Sequence, residues 1–255
     1  MKLSEIFDHL TFGELAQVSL GGIDSTGIQA ANYERMVAHV NMGLTALYKR
    51  FLLREGQLTL ARQAGVSTYV LNSKYAVSAK GTKNTRYITD TADNPFEDDI
   101  LKIERVLTAD GMELGLNGEA GRVAMFQPGA LGVSPHRRYQ VPSVYTRSYN
   151  TLYIPGNVPG DTFTVVYRAS HPALEYSTGY FDPSRIEVDL PPSHLEALLY
   201  YIASRIMNPI GMTEQFHEGN NYASKYEQEC QRLELADLQI DTGEDTYPLE
   251  RNGWV

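Results

Sequence analysis

The stretch "YERMVAHVNMGLTALYKRFLLREGQLTLA", Tyr33 to Ala61, contains the change of period on which the fold turns. Tyr33, Met36, Val37, Val40, Leu44, Leu47, Tyr48 and Phe51 fall at three- and four-residue spacing, which gathers them into one apolar stripe on a helix. A helix from about Gln29 to Arg54 would extend about 40 Å at 1.5 Å per residue. After Gly56 the three-and-four spacing gives way to alternation and β-branched runs between turn residues, and this lasts to about Asp189.

Within that stretch, "MELGLNGEAGRVAMF" predicts a hairpin, because Asn117-Gly118 can take the positive φ angles of a tight turn. "TLYIPGNVPGDTFTVVYRA" predicts a second hairpin, and "SRIEVDL" a strand with Ile186 and Val188 on one face. No helical spacing alternates with these strands, so an antiparallel sheet is expected rather than a βαβ arrangement. Helical spacing returns at "LPPSHLEALLYYIASRIM", where Pro191 and Pro192 end the strand and Ser193 with Glu196 has capping-box spacing. Leu195, Leu198, Leu199, Ile202 and Ile206 form its stripe, and Asn208-Pro209 ends or kinks it. A last helix, from about Asn221 to Leu238, carries Tyr222, Tyr226, Cys230 and Leu233 on one side. Thr11 and Glu14 in "TFGELAQVSLGG" predict a short helix near the start.

Loop closure then sets the expected architecture. The helices at the two ends can bury their stripes only against each other, so the β-rich part becomes an insertion between them. The fold class is α+β: a helical bundle formed by N- and C-terminal helices with an inserted antiparallel β-rich domain. The expected boundaries are 1–58 and 191–240 for the two parts of the helical domain, 59–190 for the insertion and 241–255 for a docking arm.

Composition narrows the function. With 255 residues and 42% apolar content the chain can build a sizeable core, and its formal charge is −9. The charge is uneven: from Thr213 onward ten acids face three bases, whereas residues 120–160 hold four arginines and no acid. An acidic end and a basic middle suit head-to-tail contact between copies. The single cysteine, Cys230, cannot form an intrachain disulfide and reads as a small buried residue. No run approaches the roughly 20 apolar residues of a membrane span, and "MKLSEIFDHL" has no apolar core of signal-peptide length. The expectation is a soluble, intracellularly made protein without a membrane partner. Seventeen tyrosines against eight phenylalanines hint at surfaces that are wet before assembly and dry after it.

No nucleophile elbow, H-E-x-x-H, Walker loop or C-x-x-C is present, and Gly115, Gly118 and Gly121 lack the dinucleotide spacing. No catalytic, cofactor-binding or metal-binding residue is assigned. The six histidines are scattered and read as solvated or interfacial. "DTADNPFEDD" gathers Asp90, Asp93, Glu97, Asp98 and Asp99 without the spacing of a calcium loop, and is expected to be an exposed acidic loop.

One stretch does suggest a surface. "SPHRRYQVPSVYTRSYNTLY" carries Arg137, Arg138, Tyr139, Tyr145, Arg147, Tyr149 and Tyr153 without an acid. Tyrosine and arginine concentrate at the energetic centres of protein interfaces, so these are the candidate interface residues, with an internal polar network as the alternative. In the last segment, "DTGEDTYPLERNGWV", Tyr247, Leu249 and Trp254 are spaced apolar anchors on a polar strip and are the candidate residues for docking the arm onto a partner surface.

The order of parts, with "IEVDLPPSHLEALLYYIASRIMNPIG" and "EGNNYASKYEQECQRLELADLQ" as the best local match, resembles the head-to-tail adaptor proteins of short-tailed bacteriophages, the tail tubular protein A type. The resemblance implies a non-enzymatic virion protein. Its copies would form a dodecameric ring between the portal protein and the tail nozzle protein, continuing the channel for double-stranded DNA. The competing expectations are a hydrolase or carbohydrate-binding protein with a cleft in the β domain, and another tail completion or baseplate component.

Overall fold

The computed structural model describes residues 1–14, 27–79, 85–92, 94–118, 142–207 and 213–238. The chain divides into two compact units, one of residues 1–53 with 171–255 and the other of residues 54–170.

The helical unit contains α1 (Leu3–His9), α2 (Tyr33–Arg50), α3 (Leu195–Ile206) and α4 (Thr213–Leu235). The α2 stripe is buried from Met36 through Phe51 and packs with Leu198, Ile202 and Ile206 of α3 and Cys230 and Leu233 of α4 in one core. Gly43 permits the α2–α3 approach, since a Cβ there would lie 2.5 Å from Leu198 Cδ1. Arg50 fastens α2 to α4, its guanidinium reaching Glu227 at 2.6 Å and Glu234 at 2.7 Å. The hydrogen bond it donates to Glu234 leads in holding that guanidinium's pKa above its ordinary value.

Two helix starts differ from expectation. The first helix begins at Leu3, because Leu3, Ile6, Phe7 and Leu10 supply its buried face and Glu5 accepts from the Lys2 amide at 3.0 Å. Thr11 is no cap: its hydroxyl donates back to the Phe7 carbonyl at 2.7 Å, inside a helical run that ends in a π turn over Leu10–Glu14. At the other end, Pro192–His194 forms a 3₁₀ turn before α3, so His194 rather than Ser193 is the cap. The Ser193 hydroxyl pairs with His194 Nδ1 and Glu196 accepts from Tyr200, so the expected capping box does not form. The expected strand at "SRIEVDL" reduces to a bridge between Lys2 and Glu187. There Leu3 N donates to Ile186 O and Val188 N to Met1 O, which ties this segment to the chain's first residues.

The β unit holds β1 (Glu55–Ala61), β2 (Thr68–Val70), β3 (Ile88–Thr89), β4 (Ile100–Thr108), β5 (Gly115–Leu116), β6 (Ser143–Ser148), β7 (Thr151–Tyr153) and β8 (Thr162–Ala169). They form two four-stranded sheets, ordered β3-β1-β8-β4 and β2-β7-β6-β5. Every pairing is antiparallel except β5 with β6. Leu58, Leu60, Ile103, Val106, Phe163 and Val165 from the first sheet share a core with Tyr69, Val144 and Leu152 from the second.

The second expected hairpin is not one. β7 pairs within one sheet and β8 within the other, so residues 154–161 carry the chain between sheets. Prolines at 155 and 159 lack the amide donors a hairpin ladder uses. Arg62 pins the crossing by donating to the carbonyls of Val158 (2.6 Å) and Pro155 (3.1 Å).

Tyrosine hydroxyls complete the backbone pairing of this unit. The Tyr87 hydroxyl donates to Val70 O at 2.8 Å and accepts from Val70 N at 3.0 Å, standing in for a strand beside β2. Burial raises the pKa of Tyr87, keeping the hydroxyl protonated for that double role. Tyr69 likewise accepts from Gln63 N and donates to Val66 O. These rings are interior groups, so the tyrosine excess does not map onto surfaces alone.

Candidate interaction surface

Period-2 alternation on β6 puts Val144 into the core and Tyr145 and Arg147 on the opposite face. The antiparallel register places Tyr153 directly across from Tyr145, with ring centroids 6.3 Å apart. The Arg147 guanidinium carbon lies 4.4 Å from the centroid of the Tyr153 ring, within cation–π range. A register shift between Thr146 and Ser148 marks an irregularity beside Arg147, and the turn beyond it exposes Tyr149 to 66%. Asn117, at φ 54°, fixes β6 from the other side: its side chain accepts from Thr146 N at 2.8 Å and donates to Thr146 Oγ1 at 2.9 Å.

Four of the seven sequence-derived interface residues, Tyr145, Arg147, Tyr149 and Tyr153, thus lie on one hairpin. Arg137, Arg138 and Tyr139 lie outside the described residues, as do Tyr247, Leu249 and Trp254. Arg147 makes no ion pair with a carboxylate among the described residues. A face with two tilted rings in contact and one guanidinium without a carboxylate partner suits a partner that offers carboxylates and an aromatic or apolar contact.

The acidic loop has a structural explanation. Asp90 accepts from the Ser78 hydroxyl, from Ser78 N at 2.8 Å and from Phe96 N at 3.0 Å. Burial alone would raise its pKa, but these donors outweigh burial and hold it below the ordinary carboxylate value. Asp98, at φ 60°, accepts from Ser73 N and Oγ, and Asp99 accepts from the Tyr167 hydroxyl at 2.9 Å. Glu97 is exposed, and Asp93 lies outside the described residues. A cleft of about 410 Å³ beside this loop is lined by Arg54, Gln57, Thr89, Glu97, Asp99 and Tyr167. Among the described residues no group of three or more His, Cys, Asp or Glu is placed to hold a metal ion. Among the same residues, no helix is long and apolar enough to cross a membrane.

The remaining titratable candidates are core groups. His194 is fully buried and edge-on to Phe51 at 4.9 Å, and burial lowers its pKa. Cys230 is buried on α4, and burial raises its thiol pKa, as expected of an inert cysteine.

One exposed residue had no signal in the interface reading. Tyr180, in the segment 171–190, is 94% exposed. The turn residues around Gly179 and the Asp182-Pro183 pair mark its loop, but nothing in spacing distinguishes a projecting ring from a packed one.

Comparison with curated proteins gives no match. A family model described as SU10 adaptor protein matches residues 10–249, nearly the whole length and both units. On this match the chain belongs to the SU10 adaptor family of bacteriophage head-to-tail adaptor proteins.

Proposed function

We propose that this protein is a structural, non-enzymatic component of the virion whose copies close into a ring, dodecameric by the resemblance noted above, between the portal protein and the tail nozzle protein. The ring continues the passage for double-stranded DNA without reading its sequence. The family match over residues 10–249 carries this reading. The hairpin with exposed Tyr145, Arg147 and Tyr149 and half-buried Tyr153 supports it, as a surface of interface-forming residue types. Arg137, Arg138 and Tyr139 extend that surface in the sequence. The segment 241–255 acts as a docking arm for the portal, with Tyr247, Leu249 and Trp254 as anchors.

Incubating the purified chain with portal rings, followed by native mass spectrometry and electron microscopy, tests this. The expected product is a portal with one closed ring of this chain, and a chain that does not bind portal rings overturns the reading. Deleting Asp241–Val255 should leave thermal unfolding nearly unchanged and weaken portal binding by about tenfold or more. Undiminished binding by the truncated chain would remove the docking arm from the proposal.

A further inference from the structure

The backbone of the loop that presents Tyr180 is anchored on both sides. Leu174 is fixed by Asn41, whose side chain donates to Leu174 O at 2.9 Å and accepts from Leu174 N at 3.0 Å. Phe181 packs against Tyr176 at 5.0 Å and Tyr33 at 5.5 Å. Gly179, at φ 94°, makes the turn, and Asp182 accepts from Ser184 N and Oγ just beyond. The bridge to Lys2 anchors the far side at Glu187. The backbone that carries this 94% exposed ring is thus ordered before docking, which leaves only the two torsions of the side chain to be fixed.

Its surroundings are acidic. Glu175, Glu187 and Asp189 are exposed and make no ion pair among the described residues, while Asp182 is met by Arg185 at 3.2 Å. The asymmetry runs through the chain: residues 1–53 with 171–255 hold nine Lys and Arg against twenty Asp and Glu, net −11. Residues 54–170 hold thirteen against eleven, net +2. The net charge of the helical unit opposes contact between two such units, and the small opposite charge of the β unit favours contact between unlike units. On that unit the β6–β7 face offers what the loop lacks, a guanidinium without a carboxylate and two rings at stacking distance.

We propose that Tyr180, with the acidic residues flanking it, docks onto the Tyr145, Arg147 and Tyr153 face of a second copy of this chain. The contact joins two different surfaces, so it adds copies in one direction, as a ring requires. It rests on the reading that the chain self-associates, and it specifies the surfaces.

The test places p-benzoylphenylalanine at position 180 of the full chain. Equal amounts of ¹⁴N and ¹⁵N protein are assembled, with and without portal rings, then illuminated and mapped by mass spectrometry. The expected product is a mixed-isotope cross-link from position 180 to residues 143–153. A cross-link within one copy, to another region of the second copy, or only to portal overturns the contact while leaving the ring intact as a reading. Absence of any oligomer by native mass spectrometry overturns both.

Tyr180→Ala, which removes a side chain outside the core, should lower self-association about tenfold or more, as should Arg147→Glu. Glu175→Arg should recover part of the loss when combined with Arg147→Glu. Unchanged association of both single variants, with circular dichroism confirming their fold, overturns the proposal.

Discussion

At the scale of single residues, Gly56 and Asp90 show how tightly the β unit constrains its chemistry. A Cβ on Gly56 would lie 2.4 Å from Cζ of Tyr167, a ring that is itself buried and hydrogen-bonded to Asp99. Gly56→Ala should therefore destabilise the unit by about 1–3 kcal/mol through overpacking, measurable by urea denaturation. Removing the Asp90 charge exposes the Ser78 and Phe96 donors to a poorer acceptor, so Asp90→Asn should cost about 1–3 kcal/mol at neutral pH. Because the folded pKa of Asp90 is depressed, its contribution is complete above the unfolded carboxylate pKa, about 4. It is lost as pH falls through the folded value. The variant should thus show a shallower loss of stability in acid than the parent chain. In the sequence the 90–99 cluster reads as exposed acid, whereas the structure uses three of its carboxylates as loop scaffolding. Which amide or hydroxyl a carboxylate will meet depends on tertiary placement, which residue spacing does not encode.

At the scale of elements, the stripes were legible and their boundaries were not. Met36 through Phe51 and Tyr222 through Leu233 pack along the faces their spacing predicts, since burial of a periodic face is a property of the helix alone. Caps and strand partners depend on neighbours. Thr11 lost its expected role to a helix started by Leu3, and β7 and β8 went to different sheets although only a short loop separates them. The entry to α3 carries a prediction of its own. Burial depresses the pKa of His194, so the unfolded chain binds its proton more readily than the folded one. The stability this group contributes is complete above its unfolded pKa of about 6.5 and falls as pH drops below it. Thermal unfolding of the helical unit followed from pH 7.5 to pH 5 should show a falling midpoint, with a smaller slope in His194→Leu.

At the scale of the whole molecule, the defining feature is the pair of strands through which the chain enters and leaves the β unit. Glu55 on β1 is in register with Arg168 on β8, and Ala169 N donates to Arg54 O at 3.0 Å, so the two ends of the insertion lie side by side. A fragment of residues 54–170 should fold alone, giving a cooperative urea transition and the near-ultraviolet signal of packed tyrosines. A fragment without either would show that the helical unit is needed for its fold. The candidate surface is a reading of composition, four tyrosines and three arginines without an acid, and the structure places Tyr145, Arg147, Tyr149 and Tyr153 of it on one hairpin with Arg147 over the Tyr153 ring. Tyr180 was not legible, because exposure is decided by the core around a loop rather than by the loop. The insertion also sets an order on the ribosome. At about 5–20 residues per second, residues 54–170 take roughly 6 to 23 s to synthesise, and β1 meets β8 only near the end of that time. Until α3 and α4 emerge, the greater part of the α2 stripe lacks the helices that cover it. The nascent chain therefore passes through a stage in which its middle can be finished while its beginning still exposes Leu44 and Leu47 to any chaperone near the exit tunnel.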